Sequence, residues 1–265
     1  MQNSGKKNVK LTLSIVSHGH MAYVRRLLDD IARFPAQELE VILTLNLPEE
    51  LGFAPESLPF ALRVVSNVSA KGFAANHNHA FSLSVGENFV ILNPDIRLID
   101  NPFQVLLSML EANRNCIAAP LIVNGMGAIE DSARKFPTPF FLLKKLAGKV
   151  FRFSLASEVL PAKNELLMPD WVAGMFIVVP RKIYEKLQGL NEYYFLYYED
   201  VDFCARARLA GCEILVNQNI KVIHEAQRDS HRKPRYMFWH MKSAAKFFTS
   251  QAYLRISWRR LFGAM

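Results

Sequence analysis

The chain has 265 residues, is 51% hydrophobic and 21% charged, and carries a formal net charge of +8. That is enough chain for one large α/β domain or two small ones, and it is too apolar for a disordered, collagen-like or disulfide-stapled polypeptide. The charge is unevenly placed: residues 221–265 hold ten Lys and Arg against two Asp and Glu, so the whole +8 lies there and the body is neutral. A basic segment rich in aromatic residues suits a negatively charged surface, either nucleic acid or anionic lipid. No apolar run approaches the roughly 20 residues that span a bilayer. The start of the chain, Met1 to Lys10, is polar and leads straight into a strand, so a cytoplasmic protein is expected. Cys116, Cys204 and Cys212 form no CxxC pair and read as buried, reduced thiols.

Lys10 to Ser17 is β-branched and apolar and predicts a first strand. Val24, Leu27, Leu28 and Ile31 then fall at helical spacing within a helix over 22–34 that ends before Pro35. A second strand is expected at Glu40 to Leu45, a third at Leu62 to Ser66, a helix at Asn76 to Val85, and a fourth strand at Asn88 to Asn93, stopped by Pro94. Strand and helix alternate, which predicts a mostly parallel central sheet flanked by helices. A helix at 101–113 and a strand over 116–123 follow. Residues 124–169 break the rhythm with several Gly and Pro around the basic-apolar stretch Phe140 to Phe153, read as an excursion that covers a site or touches a membrane. Trp171 to Val179 predicts a strand, 181–187 and 199–210 helices, and Glu213 to Val216 a last strand.

Ligands of open α/β sheets sit beyond the carboxyl ends of the strands. At such ends this sequence places Ser17 and His18, Asn46, the loop Lys71-Gly72 with Asn76, and Asn93-Pro94-Asp95. Asp95 projects past a proline that cannot extend the ladder, either to hold a divalent cation against a diphosphate or to cap a turn. The Lys71-Gly72 loop ahead of a helix either offers backbone N–H groups and one ammonium to phosphate or is a plain turn. Glu199, Asp200 and Asp202 open a helix, where its positive end favours carboxylates. The aromatic residues Tyr194, Phe195 and Tyr197 before them imply a partly buried cluster, costly unless one carboxylate works as a general base. His224 after an apolar strand is a structural histidine or, beside Asp95, a metal ligand. His77 and His79 read as hydrogen-bonding residues, and Trp171 as either a sugar platform or core.

In this order the pieces SIVSHGH at 14–20, KGFAANHNHAF at 71–81, ILNPDIRL at 91–98, SARKFPTP at 132–139, residues 170–215 and VIH at 222–224 resemble the inverting family-2 glycosyltransferases of the GT-A fold. The bacterial rhamnosyltransferase-like members are the most similar, over about residues 10–230. The resemblance implies a GT-A domain at 1–230, with a Rossmann-like nucleotide-sugar site, followed by a basic amphipathic segment at 231–265. Asp95 matches the end of the family's metal- and diphosphate-binding DXD-type motif, here Asn-Pro-Asp, and His224 a histidine that completes the site for Mg²⁺ or Mn²⁺. Asp200 matches the base that deprotonates the acceptor, with Glu199 beside it. Ser17, His18, Asn46, Lys71, Gly72 and Asn76 fall on the donor side, and Trp171 and Asp202 on the acceptor side. Leu45-Asn46 departs from the Asp-Asn usual after the second strand, where the Asp faces the nucleobase. The implied reaction moves a sugar, first of all L-rhamnose from dTDP-rhamnose, to a hydroxyl of a lipid-linked glycan in cell-surface polysaccharide synthesis. The aromatic and cationic pattern of residues 236–262 predicts either an interfacial helix on the inner face of the membrane or a basic helix packed on the domain. Nucleic acid is set aside, because the body is neutral and carries no nucleic-acid motif.

Overall fold

The computed structural model describes residues 9–35, 38–140, 144, 165–225 and 234–262. Strands β1 (Leu11–Ser17), β2 (Leu39–Leu45), β3 (Ala61–Ser66) and β4 (Asn88–Leu92) pair in parallel in the order β3-β2-β1-β4. They are joined through helices α1 (Met21–Ala32) and α2 (Phe73–Leu83). The sheet then continues β10-β6-β11-β5, with β5 (Ile96–Leu98), β6 (Cys116–Asn124), β10 (Phe176–Pro180) and β11 (Glu213–His224). Helix α3 (Pro102–Ala112) leads into β6; Asn101 caps it by accepting from the Phe103 N–H, and Pro102 supplies its preset first turn. The helices α4 (Arg181–Lys186), α5 (Glu199–Leu209), α6 (Pro234–Phe248) and α7 (Gln251–Leu261) complete the order.

Successive residues of the central strands serve opposite faces, as period-2 alternation requires. Phe89, Ile91, Ile177 and Val179 pack toward α2 and α4, whereas Val90, Leu92, Phe176 and Val178 pack toward α1 and α3. Both sheet faces are covered, so the strands are apolar throughout, as expected from the sequence. The three cysteines are free and buried.

Two expected strands come out differently. Trp171 to Val179 is not one strand: β9 (Trp171–Val172) pairs with β7 (Ala133–Arg134) in a separate ribbon, and only β10 enters the main sheet, antiparallel to β4. Ala173, Gly174 and Met175 turn the chain between them, and Gly174 has no side chain to resist the approach of Phe73. The last strand is longer than expected, running from Glu213 to His224 with an irregularity between Asn217 and Lys221, and a short β8 (Leu166–Leu167) pairs with it. Most of the stretch Phe140 to Phe153 lies outside the described residues.

The basic segment forms α6 and α7, which break at Ser250, whose side chain caps α7 by accepting from the Tyr253 N–H. Ala244, Phe247, Ala252 and Ile256 are buried in the core shared with α5. Arg260 of α7 reaches the buried carboxylate of Asp170, which also accepts from the Phe136 N–H at 2.8 Å. Met237, Phe238, Met241, Leu254, Trp258 and Phe262 remain exposed on the other side. Among the described residues no helix is long and apolar enough to cross a membrane.

Candidate active site

The tips of β1, β2 and β3 are tied together by polar side chains. Asn46, 5% exposed, accepts from the Lys71 N–H at 2.8 Å and from Asn67 at 2.9 Å, and its amide donates to the Lys71 carbonyl at 3.0 Å and faces His18 Nδ1 at 3.0 Å. Asn67 also donates to Asn76 at 2.7 Å. A primary amide offers two donors and one carbonyl oxygen, so Asn46 is fully spent on shaping the loop. Asn46 therefore acts as scaffold for the strand tips. Ser17 is likewise committed: its hydroxyl donates to Glu49 at 3.0 Å and accepts from the His20 N–H at 3.1 Å, while Glu49 also takes the N–H groups of Gly19 and Met21. Burial, His20 and Arg235 lower the His18 pKa, so its ring is neutral at physiological pH. Lys71 is exposed. At Gly72 a Cβ would lie 2.6 Å from the Phe195 carbonyl, which already accepts from the Phe73 N–H at 3.0 Å. Glycine is required there because the donor loop and the aromatic approach touch backbone to backbone.

Past β4, Asp95 and His224 come together, the arrangement that the family resemblance implied and spacing alone did not. His224 Nε2 lies 3.3 Å from Asp95 Oδ2, and Nδ1 lies 2.6 Å from Glu130 Oε2. Burial alone would lower the His224 pKa, yet the hydrogen bonds and charges of Asp95 and Glu130 outweigh it and raise the value to about 9. The other oxygen of Asp95, Oδ1, is buried with no hydrogen-bond partner among the described residues. A carboxylate with an unused buried oxygen beside an imidazole braced by a second carboxylate is a donor pair that a divalent cation would use. Among the described residues no three His, Cys, Asp or Glu cluster as a complete ligand set.

The acidic run opens α5. Asp200 is half-buried and accepts from the Gly174 N–H at 2.9 Å and from the Val201 N–H at 2.8 Å. Burial raises its pKa against those two N–H groups and the Arg134 guanidinium, which lower it. Glu199 is buried, one of its oxygens has no partner among the described residues, and burial together with the Asp200 charge lifts its pKa well above the usual carboxylate range. Burial raises both carboxyl groups, and Glu199 is raised further by the Asp200 charge, while the backbone donors at Gly174 and Val201 favour the charged form of Asp200.

Two acceptor-side expectations are corrected. Asp202 is 2% exposed and bound by Arg206 at 2.7 Å, so it braces α5 instead of facing a ligand. Trp171 is 7% exposed, its indole N–H donates to the Lys135 carbonyl at 2.9 Å, and its ring packs in the core under Arg134. His77 is also internal: Nδ1 pairs with Ser14 at 2.8 Å and burial pushes its pKa down to about 3. Sequence reasoning passed over Glu49, Asn67 and Glu130, which support the predicted residues from loops and carry no motif of their own. Gly174 was hidden inside the expected strand.

The two halves of the site are joined by a few bonds. The Asn93 N–H donates to the Met175 carbonyl at 2.8 Å, and the neighbouring Gly174 N–H holds Asp200. The tip carrying Asp95 and the turn carrying the base candidate are thus adjacent in space.

No family model matches the chain. It is 25% identical over 255 residues to the rhamnosyltransferase WbbL of Escherichia coli K12, covering 91% of this chain and 93% of that protein. The chain has the GT-A fold, and its sequence is similar to that of rhamnosyltransferases. A second relative, the N-acetylglucosaminyl-diphospho-decaprenol L-rhamnosyltransferase of Mycobacterium tuberculosis, is 25% identical over 170 residues, 61% of this chain and 55% of the relative. In structure it superposes on GalNAc-T7 solved with UDP, GalNAc and Mn²⁺ at a TM-score of 0.62 and 14% identity, over 83% of this chain and 44% of the other.

Proposed function

We propose that the protein is an inverting transferase that moves L-rhamnose from dTDP-L-rhamnose to a hydroxyl of a lipid-linked glycan in cell-surface polysaccharide synthesis. The observation that carries this reading is the contact of the two halves of the site through Asn93, Met175, Gly174 and Asp200. An acceptor hydroxyl at Asp200 and a diphosphate at Asp95 then lie on opposite sides of one reacting carbon. Asp200 takes the hydroxyl proton as the new bond forms, and its burial-raised pKa brings the base closer to the hydroxyl it must deprotonate. Burial and the Asp200 charge raise the Glu199 pKa, which opposes a second negative charge in the pocket. The backbone donors at Gly174 and Val201 fix the direction in which the carboxylate faces.

Asp95 and His224 would hold Mg²⁺ or Mn²⁺, with the remaining positions left to donor phosphates and water, as such ions prefer. The cation would neutralise charge developing on the leaving diphosphate. Two acidic or imidazole ligands suffice for that arrangement. His224 must give up its proton to bind, and Glu130 at Nδ1 keeps Nε2 turned toward Asp95.

The acceptor's lipid carrier is matched by the outer face of α6 and α7, where Phe238, Trp258 and Phe262 are each about two-thirds exposed and lie among Lys242, Arg255 and Arg259. Each cation adds about 1 kcal/mol near an anionic leaflet. Phe238→Ser with Trp258→Ser is expected to lower flotation with phosphatidylglycerol vesicles several-fold, and unchanged flotation would remove the membrane from the reading. The central test is hydrolysis of dTDP-rhamnose against UDP- and GDP-linked sugars, with and without EDTA. Preference for dTDP-rhamnose and loss of turnover in EDTA support the proposal, whereas turnover of a UDP- or GDP-sugar alone would replace the donor.

A further inference from the structure

The approach to the base is strained. Tyr197 and Tyr198 both adopt φ of 69°, the left-handed region that bulky side chains avoid. Two successive residues there are strained and persist only where the surroundings over-determine them. Tyr198 is the residue from which α5 departs, it offers no side-chain cap, and its carbonyl accepts the Asp202 N–H at 2.9 Å. The direction of Asp200 therefore follows from this turn.

The surroundings that enforce the turn come from α6. Ser243, 4% exposed, donates its hydroxyl to the Leu196 carbonyl at 2.8 Å. The His240 ring lies 5.4 Å from that of Tyr197 and 5.3 Å from that of Tyr198, and Phe247 packs on Tyr198 at 5.6 Å. Trp239 packs on Phe195 at 5.1 Å, and Lys246 caps the Tyr193 carbonyl. One face of a single helix thus touches five of the six residues from Tyr193 to Tyr198. Asp200 itself is untouched by α6 in any of these contacts.

We infer that α6 is a positioning element of the transfer reaction: through Ser243 and His240 it holds the left-handed turn at Tyr197 and Tyr198 that aims Asp200 at the acceptor hydroxyl. The inference rests on the reading of Asp200 as the base. It gives the basic segment two separate faces, an inner one that sets catalytic geometry and an outer one proposed for the membrane. Ser243 and His240 act through the turn and make no contact with a reacting atom, so they are positioning residues.

The test is Ser243→Ala in the full chain, assayed with saturating donor and acceptor, together with His240→Ala and Ser243→Thr. Misplacement of a reacting group by about 1 Å costs as much as a hundredfold. Ser243→Ala and His240→Ala are expected to lower kcat roughly tenfold or more, with the KM for donor unchanged, and Ser243→Thr, which keeps the hydroxyl, to recover most of the loss. A hydroxyl that merely stabilises the fold would lower the melting temperature and leave kcat per folded molecule intact; wild-type kcat in both alanine variants overturns the inference. Asp200→Asn run in parallel separates the two claims. If it is inactive while Ser243→Ala is fully active, only the positioning role falls; if Asp200→Asn turns over normally, the base assignment falls and this inference with it.

Discussion

The donor side and the dyad side of this protein are built on opposite principles. Around Asn46, Asn67 and Asn76 every amide finds its partners, and the loop carrying Lys71 is held by bonds of 2.7–3.0 Å between short side chains and backbone. Around Glu199 and Asp200 a buried carboxylate oxygen goes without a partner, two carboxyl groups share one space, and the turn before them is strained. Satisfied polar networks rigidify a shape, whereas a buried polar group left unpaired is held at a cost in stability. Under the proposed transfer, donor binding falls to the first region and proton removal to the second, on different loops.

The largest effect expected from breaking that contrast is at the base. Asp200→Asn should fold normally and lose about 10²–10⁴ in rate, as removal of a general base does; circular dichroism and single-turnover assays check the two halves of that statement. Next is the brace behind His224. Glu130→Gln removes the carboxylate at Nδ1 and should weaken divalent-metal affinity by roughly 10–100-fold, read as a rise in the Mn²⁺ concentration giving half-maximal turnover. On the donor side Asn67→Ala leaves the oxygens of Asn46 and Asn76 short of a donor and should cost about 1–3 kcal/mol of stability. Its melting temperature should fall and the KM for donor rise, with kcat nearly unchanged.

The smallest effect concerns pH. The folded pKa of Glu199 is raised above its unfolded value by burial and by Asp200. The folded state therefore binds more protons than the unfolded one, so the stability tied to this proton is fully present below the unfolded value of about 4.3 and is lost as pH rises toward the folded pKa. Melting curves of Glu199→Gln, which cannot lose a proton, should show less decline over that interval than wild type. Identical slopes would mean that the Glu199 pKa is not raised in the folded state.

Much of this architecture was legible in the sequence, because alternation and helical spacing report burial directly. Val24, Leu27, Leu28 and Ile31 form the buried face of α1, and Asp95 and His224 meet where strand ends converge. Adjacent carboxylates were harder. Asp200 and Asp202 are two residues apart on a helix and so point about 200° away from each other, one toward Gly174 and the other toward Arg206; composition alone does not say which direction is inward. The break at Gly174 was unreadable for a related reason, since Trp171 to Val179 is apolar on both sides of a turn made by a single missing side chain. The left-handed pair Tyr197 and Tyr198 left no trace either, as neither residue type favours that conformation and only α6, some 40 residues later, compels it.

The contact between Arg260 and Asp170 spans 90 positions, and the one between Ser243 and Leu196 spans 47. Non-local contacts of this kind form late, because the ordering of the intervening chain comes first. During synthesis at about 5–20 residues per second, the sheet, the strand tips and α5 all leave the ribosome before the helix that covers the turn. A nascent molecule thus has its strand tips in place for some seconds while the turn before Asp200 is still uncovered by α6.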